Sequence, residues 1–436
     1  ITHSWSSAGT YTGSLTVSDM KGGSTTVSQN VTVNDPLATW TDRSSGATET
    51  LNAIAANSTY AVAVGDSPLS EVGDFARILR SSDGITWTNY SPSGSVLNLN
   101  CRDAIWDGTE FLIAGYDYDF GINAWEGVIY TSPDGQTWTR AYETNTADTR
   151  LRAIASNGSG TVVAVGDNGT VVSLNSGTWS IVNTGVASTK RLQDIAYGEG
   201  TFIFVGYNYD TVSPSYNGNV EVRRSSDGLS WTDDSTGTGL SSWKDLRSID
   251  YTGDHFVASG FYAGILHSTD QGQTWTPSTP GDYDEREGCA ATSGLVYAVG
   301  TNDDASGVDV DLISSDGITW TEIDPGNLDD RHGVTDFANT FITVGDNGTI
   351  RQSGTLTEST VFSDYISTYY SGTDSESTAN PDGDWANNLI EYALGSLPNS
   401  NASSPTAPSL TIDGTGHIVF EVDRTQQRPD IAYSIW

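Results

Sequence analysis

The chain has 436 residues and sets 55 acidic side chains against 19 basic ones, a net charge of −36. That balance argues against nucleic acid and against insertion into or binding on anionic membranes, because both surfaces call for a basic face. No apolar run approaches the roughly 20 residues that span a bilayer, and the 47 glycines suit many short strands and tight turns rather than helices.

Residues 1–35 alternate with period two over Gly9–Asp19 and again from Ser24 to Val33, with Lys21-Gly22-Gly23 as the turn between them. The Ala8-Gly9-Thr10-Tyr11-Thr12 and Leu15-Thr16-Val17-Ser18-Asp19 segments resemble the C-terminal half of a polycystic-kidney-disease (PKD) domain, an immunoglobulin-like sandwich. Half a sandwich leaves a sheet face and edge bare. The expectation is that more of a longer chain, or another subunit, covers them.

Residues 36–356 repeat. Trp40, Trp87, Trp138, Trp179, Trp231, Trp275 and Trp320 recur every 41 to 52 residues, a period that marks a β-propeller. Before most of these tryptophans stands Ser-x-Asp-Gly, as in Ser81-Ser82-Asp83-Gly84, Ser132-Pro133-Asp134-Gly135, Ser225-Ser226-Asp227-Gly228 and Ser314-Ser315-Asp316-Gly317. The copy Ser268-Thr269-Asp270-Gln271-Gly272-Gln273-Thr274-Trp275 is one residue longer. An Asp carboxylate there accepts backbone N–H groups, and the Gly takes the left-handed conformation. The series resembles the Asp-box (BNR-type) repeat of sialidase-like propellers, in which the motif is structural and lies away from the active face. Seven second strands end in Gly65, Gly115, Gly166, Gly206, Gly260, Gly300 and Gly345. The seventh unit lacks its own Trp strand, so the strand at Trp40 is expected to fill it. The fold class read here is all-β: a seven-bladed propeller of four-stranded blades closed by an N-terminal strand.

Residues 357–400 change character. Phe362, Tyr365, Ile366 and Tyr369 fall on one helical stripe. Then Asn380, Asp382, Asp384, Asn388 and Glu391 stand at calcium-loop spacing, with the Ala386 carbonyl as a further ligand. The segment resembles dockerin-like loops of secreted bacterial proteins and implies Ca²⁺, although Asn380 replaces the first Asp and Trp385 stands where such loops have Gly. Without metal, the same residues read as a helix cap. Residues 401–436 read as the start of a β domain, with strands at 409–412 and 417–423 and a third from Ile431. Cys101 and Cys289 lie in different repeats and read as buried small apolar side chains, with a bridge left open.

In a propeller, the inter-blade loops and the loops between second and third strands share one face. Arg102, Arg152, Arg191, Arg247, Arg286 and Arg331 fall there, beside Asp103, Asp194, Asp245, Glu285, Glu287 and Asp330. Tyr118, Trp125 and Tyr209 lie in its long aromatic loops. As a ligand site, the aromatics suit sugar faces and the arginines suit carboxylate or sulfate. As structure, the arginines pair with their acidic neighbours and pin the blades, the commoner case for such clusters. For catalysis, Glu285, Asp330 and His332 are the candidates, but carboxylates are too plentiful to single out a pair, and no phosphate loop, nucleophile elbow or His/Cys metal cluster occurs. The balance favours a non-catalytic adhesion, recognition or fibre-building module. Such a protein would be extracellular or on the cell surface, with polysaccharide, a surface protein or copies of itself as partner. The competing class is a glycosidase or polysaccharide lyase working at the Arg/Tyr-lined face.

Overall fold

A computed structural model describes residues 37, 40–67, 76–91, 99–208, 220–240, 245–260, 264–278, 285–292, 295–301, 311–314, 316–323 and 330–355, together with five strands outside this region. The chain divides into two compact units, one of residues 37–356 and the other of residues 1–36 with 357–436.

The larger unit is a seven-bladed β-propeller, each blade a four-stranded antiparallel sheet. The first strands of blades 1 to 7 are Leu51–Ala56, Asn100–Trp106, Leu151–Ser156, Lys190–Gly198, Ser248–Tyr251, Glu285–Thr292 and Arg331–Phe337. Each packs against the first strand of the next blade, and the seventh packs against the first, so these strands wall a central channel. Second strands such as Ala61–Gly65 and Val162–Gly166 are apolar and buried along their whole length. Both faces of a blade are covered by its neighbours, so these strands have no solvent side on which polar residues would alternate. The outer strands are short and partly exposed, which limits open sheet edge.

The ring closes as expected. The fourth strand of blade 7 is Trp40–Arg43, antiparallel to Ile350–Ser353, with Trp40 opposite Ser353 and Arg43 opposite Ile350.

The Ser-x-Asp-Gly turns join third to fourth strands. In blade 1, Asp83 Oδ1 accepts the amides of Ile85 and Thr86, both at 2.8 Å, while Ser81 Oγ accepts that of Gly84 at 2.8 Å. The Trp87 indole N–H donates back to the Gly84 carbonyl at 3.3 Å. Gly84 sits at φ +71°, and a Cβ there would meet Gln352 Nε2 of blade 7 at 2.7 Å. The glycine therefore serves both the turn and the close fit against the preceding blade. In the longer copy, Gln271 takes a positive φ of 60° as well as Gly272 at 80°, which absorbs the extra residue.

In the other unit, Gly9–Asp19 and Ser24–Val33 form the expected hairpin, and Ile431–Ile435 adds to its first strand. One edge of the hairpin is thus taken by the same chain. Strands Pro408–Ile412 and Ile418–Val422 pair with each other. The helix expected near 361–370 and the calcium loop at 380–391 lie outside the described residues.

Candidate functional site

A one-residue bulge opens the first strand in six of the described blades: it falls between Leu51 and Ala53, Cys101 and Asp103, Leu151 and Ala153, Leu192 and Asp194, Arg286 and Gly288, and Arg331 and Gly333. The bulge explains the glycine that faces it on the second strand. A Cβ on Gly65 would lie 2.1 Å from the Thr50 carbonyl, and one on Gly166 would lie 2.0 Å from that of Arg150. A bulge re-aims side chains. Here the bulged residues Asn52, Arg102, Arg152, Gln193 and His332, and the residues that follow them, both line a channel cavity of about 530 Å³.

At the mouth, acids at the ends of second strands gather the polar groups. Asp66 accepts from Asn52 of its own blade at 2.8 Å and from Arg102 of blade 2 at 3.4 Å. Asp167 takes two bonds from Arg152, at 2.5 and 3.2 Å, and one from Arg191 of blade 4 at 3.1 Å. Asp346 stands 3.0 Å from His332 Nε2 and accepts the Thr50 hydroxyl of blade 1 at 2.9 Å. Each of these acids ties its own blade to the next. Burial opposes ionisation of Asp167, but Arg152 and Arg191 hold its carboxyl below the ordinary value. Arg247 bonds Asp245 at 3.2 Å and lies 5.6 Å from the Tyr207 ring centre.

One level down, the channel is acidic. Asp103 accepts the amides of Ala104 at 2.7 Å and of Ile154 in blade 3 at 2.8 Å. Asp194 does the same with Ile195 and with Ile249 of blade 5, both at 2.8 Å. Asp250 lies two residues further along its strand than the level of these two and accepts Tyr251 N–H at 2.7 Å. These carboxyls open only onto a channel walled by protein. Burial pushes Asp103 up to about 6 and Asp250 to about 7, and it raises Asp194 well above the ordinary value with help from the charge of Asp103. The free thiol of Cys289 lines the same cavity, whereas Cys101 is buried as expected and is also free.

Beside the mouth, the second and third strands of blade 2, Phe111–Asp119 and Ala124–Ser132, run on together as a long hairpin. Trp125 pairs with Tyr118 across it. The Trp125 ring meets Tyr116 and Tyr118 edge to face, each at 5.4 Å, and Tyr118 meets Phe120 at 5.1 Å. The Arg150 guanidinium lies 5.5 Å from the Tyr116 and Trp125 ring centres. The tip is open: Phe120 is 65% and Ile122 39% exposed.

The expected site residues therefore separate. Arg102, Arg152, Arg191 and Arg247 stand at the mouth, but bonded to acids. Arg331 does not reach it: this residue is 1% exposed and bonds Asp311 at 3.1 and 2.8 Å, and Asp311 also accepts the Tyr297 hydroxyl. The reason is the bulge, which sends His332 to the cavity and its predecessor into the core. Asp103 and Asp194, expected beside the arginines, instead bind backbone amides inside the channel. His332 is engaged with Asp346, and Asp330 lends its backbone carbonyl to the Asp346 amide at 2.9 Å. Tyr118 and Trp125 come together as expected for one surface. Tyr209 and the side chains of Glu285, Arg286 and Glu287 lie outside the described residues. Sequence reasoning passed over Asp66, Asp167, Asp346 and Asp250. The repeated Gly-Asp at the ends of three second strands was the available signal for the first three.

No family model matches the chain, and no curated protein matches it. Solved structures do share the fold. A structure of YCF48 bound to D1 peptide is 16% identical with a TM-score of 0.53, covering 74% of this chain and 98% of that one. YCF48 from Cyanidioschyzon merolae is 15% identical at 0.50, over 72% and 98%. A catalytically inactive virginiamycin B lyase from Staphylococcus aureus with quinupristin is 10% identical at 0.53, over 72% and 99%. At these identities the likeness is one of fold.

Proposed function

We propose that the propeller is a non-catalytic recognition module of a secreted or cell-surface modular bacterial protein, meeting a protein or polysaccharide at its channel-mouth face. The observation that carries this is the blade 2 hairpin, whose exposed Phe120 and Ile122 rise beside a rim on which Arg102, Arg152, Arg191 and Arg247 already have acidic partners. A rim of satisfied ion pairs is a rigid frame, and an exposed apolar tip on a rigid frame is a contact point. In the same reading the repeats are of the sialidase Asp-box type, the PKD-like segment is a spacer, and residues 380–391 bind Ca²⁺ as a stiff joint. One propeller of like fold is described with a bound peptide and another as a lyase, so the fold accommodates both recognition and catalysis.

A second reading, a lyase or glycosidase, draws on His332, which lines the cavity with Asp346 at 3.0 Å as an orienting partner. A polymer-binding and polymer-degradation screen on the full chain, with calcium and with chelator, separates the two. Binding without turnover is expected. Turnover abolished by His332→Ala would replace recognition by catalysis.

A further inference from the structure

The blade 2 hairpin has two unlike faces. Alternation places Tyr116 and Tyr118 on one side with Trp125, and Asp117 and Asp119 on the other with Glu126, which pairs with Asp117 across the strands. On the acidic side a single guanidinium serves three carboxylates. Arg140 bonds Asp117 and Glu143, the latter at 2.7 Å, and lies 3.7 Å from Glu126. Asp117 is 3% exposed, yet its Oδ1 has no hydrogen-bond partner among the described residues. The cluster is therefore short of positive charge, and both Asp117 and Glu126 are pushed upward, first by burial and also by their acidic neighbours. Glu143 remains open at 42% side-chain exposure.

We propose that this hairpin docks a basic polypeptide segment, with an apolar side chain seated on Phe120 and Ile122 and separate guanidinium or ammonium groups drawn to Asp119 and to Glu143. The inference rests on the recognition reading and names its partner. Charge complementarity selects the class: a surface with excess carboxylate, on a chain of net charge −36, attracts cations and repels acidic polymers. Ring geometry selects against sugar. The Trp125 and Tyr118 planes cross at 80°, Trp125 and Tyr116 at 84°, and Tyr118 and Phe120 at 74°. The rings spend their faces on one another and present no coplanar row on which a polysaccharide would lie. Phe120, exposed and next in the chain to Asp119, instead suits an Arg or Lys side chain at the hairpin tip, whose apolar stem lies on the ring while its head turns to the acidic side.

The test titrates the full chain with three probes: a short peptide of alternating Arg and Leu, a matched peptide of alternating Glu and Leu, and soluble xylan. The same titrations are run on Phe120→Ser/Ile122→Ser, which leaves every charge in place, and its melting curve is compared with the parent's. The Arg-Leu peptide should bind saturably and weaken as salt rises. The double variant should bind it at least roughly tenfold more weakly, as expected when a central apolar anchor is lost, at unchanged melting temperature. Equal binding by parent and double variant would overturn the inference, since attraction to net charge alone would then explain it. Xylan binding that depends on the tip would also overturn it while leaving recognition intact. Failure of all three probes would count against both.

Discussion

Trp40 lies opposite Ser353 across the seam of blade 7, and its indole stands 5.3 Å from the Tyr297 ring of blade 6. One residue thus completes the last sheet and packs it onto the sheet before. Trp40→Ala removes a half-buried indole from this junction and should cost about 2–4 kcal/mol, near the lower part of the range for aromatic truncation. Asp42→Ala in the same strand is the control. Asp42 bonds Arg351 at 2.7 Å, with Asp42 82% and Arg351 8% exposed, so its loss should cost about 1 kcal/mol, less than that of Trp40. Urea unfolding of both variants checks the contrast. Equal losses would mean that the strand acts through its backbone alone.

The seam was legible in the sequence because the seven Trp strands and the seven second strands are out of step: Trp40 comes before the first second strand and no Trp strand follows the last, and only a swap resolves the mismatch. The Ser-x-Asp-Gly turns were legible because their chemistry is local: donor, acceptor and glycine lie within a few residues. The position of the arginines was not. Period-two alternation assigns Arg331 and His332 to opposite sides correctly, but the bulge decides which side is the cavity. Its trace was present in segments such as Leu51-Asn52-Ala53-Ile54 and Leu151-Arg152-Ala153-Ile154, where the spacing of apolar residues departs from two. The aromatic hairpin was visible as composition, whereas its acidic face depended on the cross-strand register of Asp117 with Glu126.

Arg331 and Asp311 make a buried pair, 1% and 0% exposed at their side chains. Aligned on the bulge and on the turn serine, they occupy positions that hold Leu51 and Ile78 in blade 1 and Leu192 and Val222 in blade 4. Arg331→Leu alone leaves the buried Asp311 carboxylate without its guanidinium, with the Tyr297 hydroxyl still donating to it, and should cost about 3–5 kcal/mol. Arg331→Leu with Asp311→Ile and Tyr297→Phe restores the pattern of the other blades. It should recover most of that loss or exceed the parent in stability, because a well-packed apolar replacement of a buried ion pair avoids the desolvation penalty. Thermal unfolding of the single and triple variants decides this. A triple variant no more stable than the single one would show that the pair is needed for packing.

The blade 1 turn separates hydrogen bonding from fit. Ser81→Ala leaves the buried Gly84 amide without its acceptor and should cost about 1–3 kcal/mol. Gly84→Ala retains that bond but forces a Cβ to 2.7 Å from Gln352 Nε2 at a φ of +71°. Adding Gln352→Ala to Gly84→Ala should recover part of the damage by clearing the clash, whereas adding it to Ser81→Ala should recover none. Chemical denaturation of the two double variants gives the comparison.

Stability should fall as the pH rises from about 5 to about 8. Asp103 and Asp117 are raised to about 6 and Asp250 to about 7, from an ordinary value of 3.8, chiefly by burial. The folded chain holds these protons more tightly than the unfolded one. Their contribution is therefore complete below about pH 4 and is lost as the pH climbs through the folded values. Self-repulsion of the −36 charge acts in the same direction. Glu49, bonded by Arg77, and Asp83, bonded by the Thr86 and Ile85 amides, are lowered to about 2, so their contribution is present above about pH 4 and lost as the pH falls toward 2. The melting temperature should peak between about pH 4 and 6. Asp250→Asn keeps an acceptor for the Tyr251 amide while removing the charge, so it should flatten the decline near pH 7 and raise the melting temperature at pH 8 relative to the parent. A parent whose melting temperature is level or rising across that interval would contradict this assignment of the channel carboxyls.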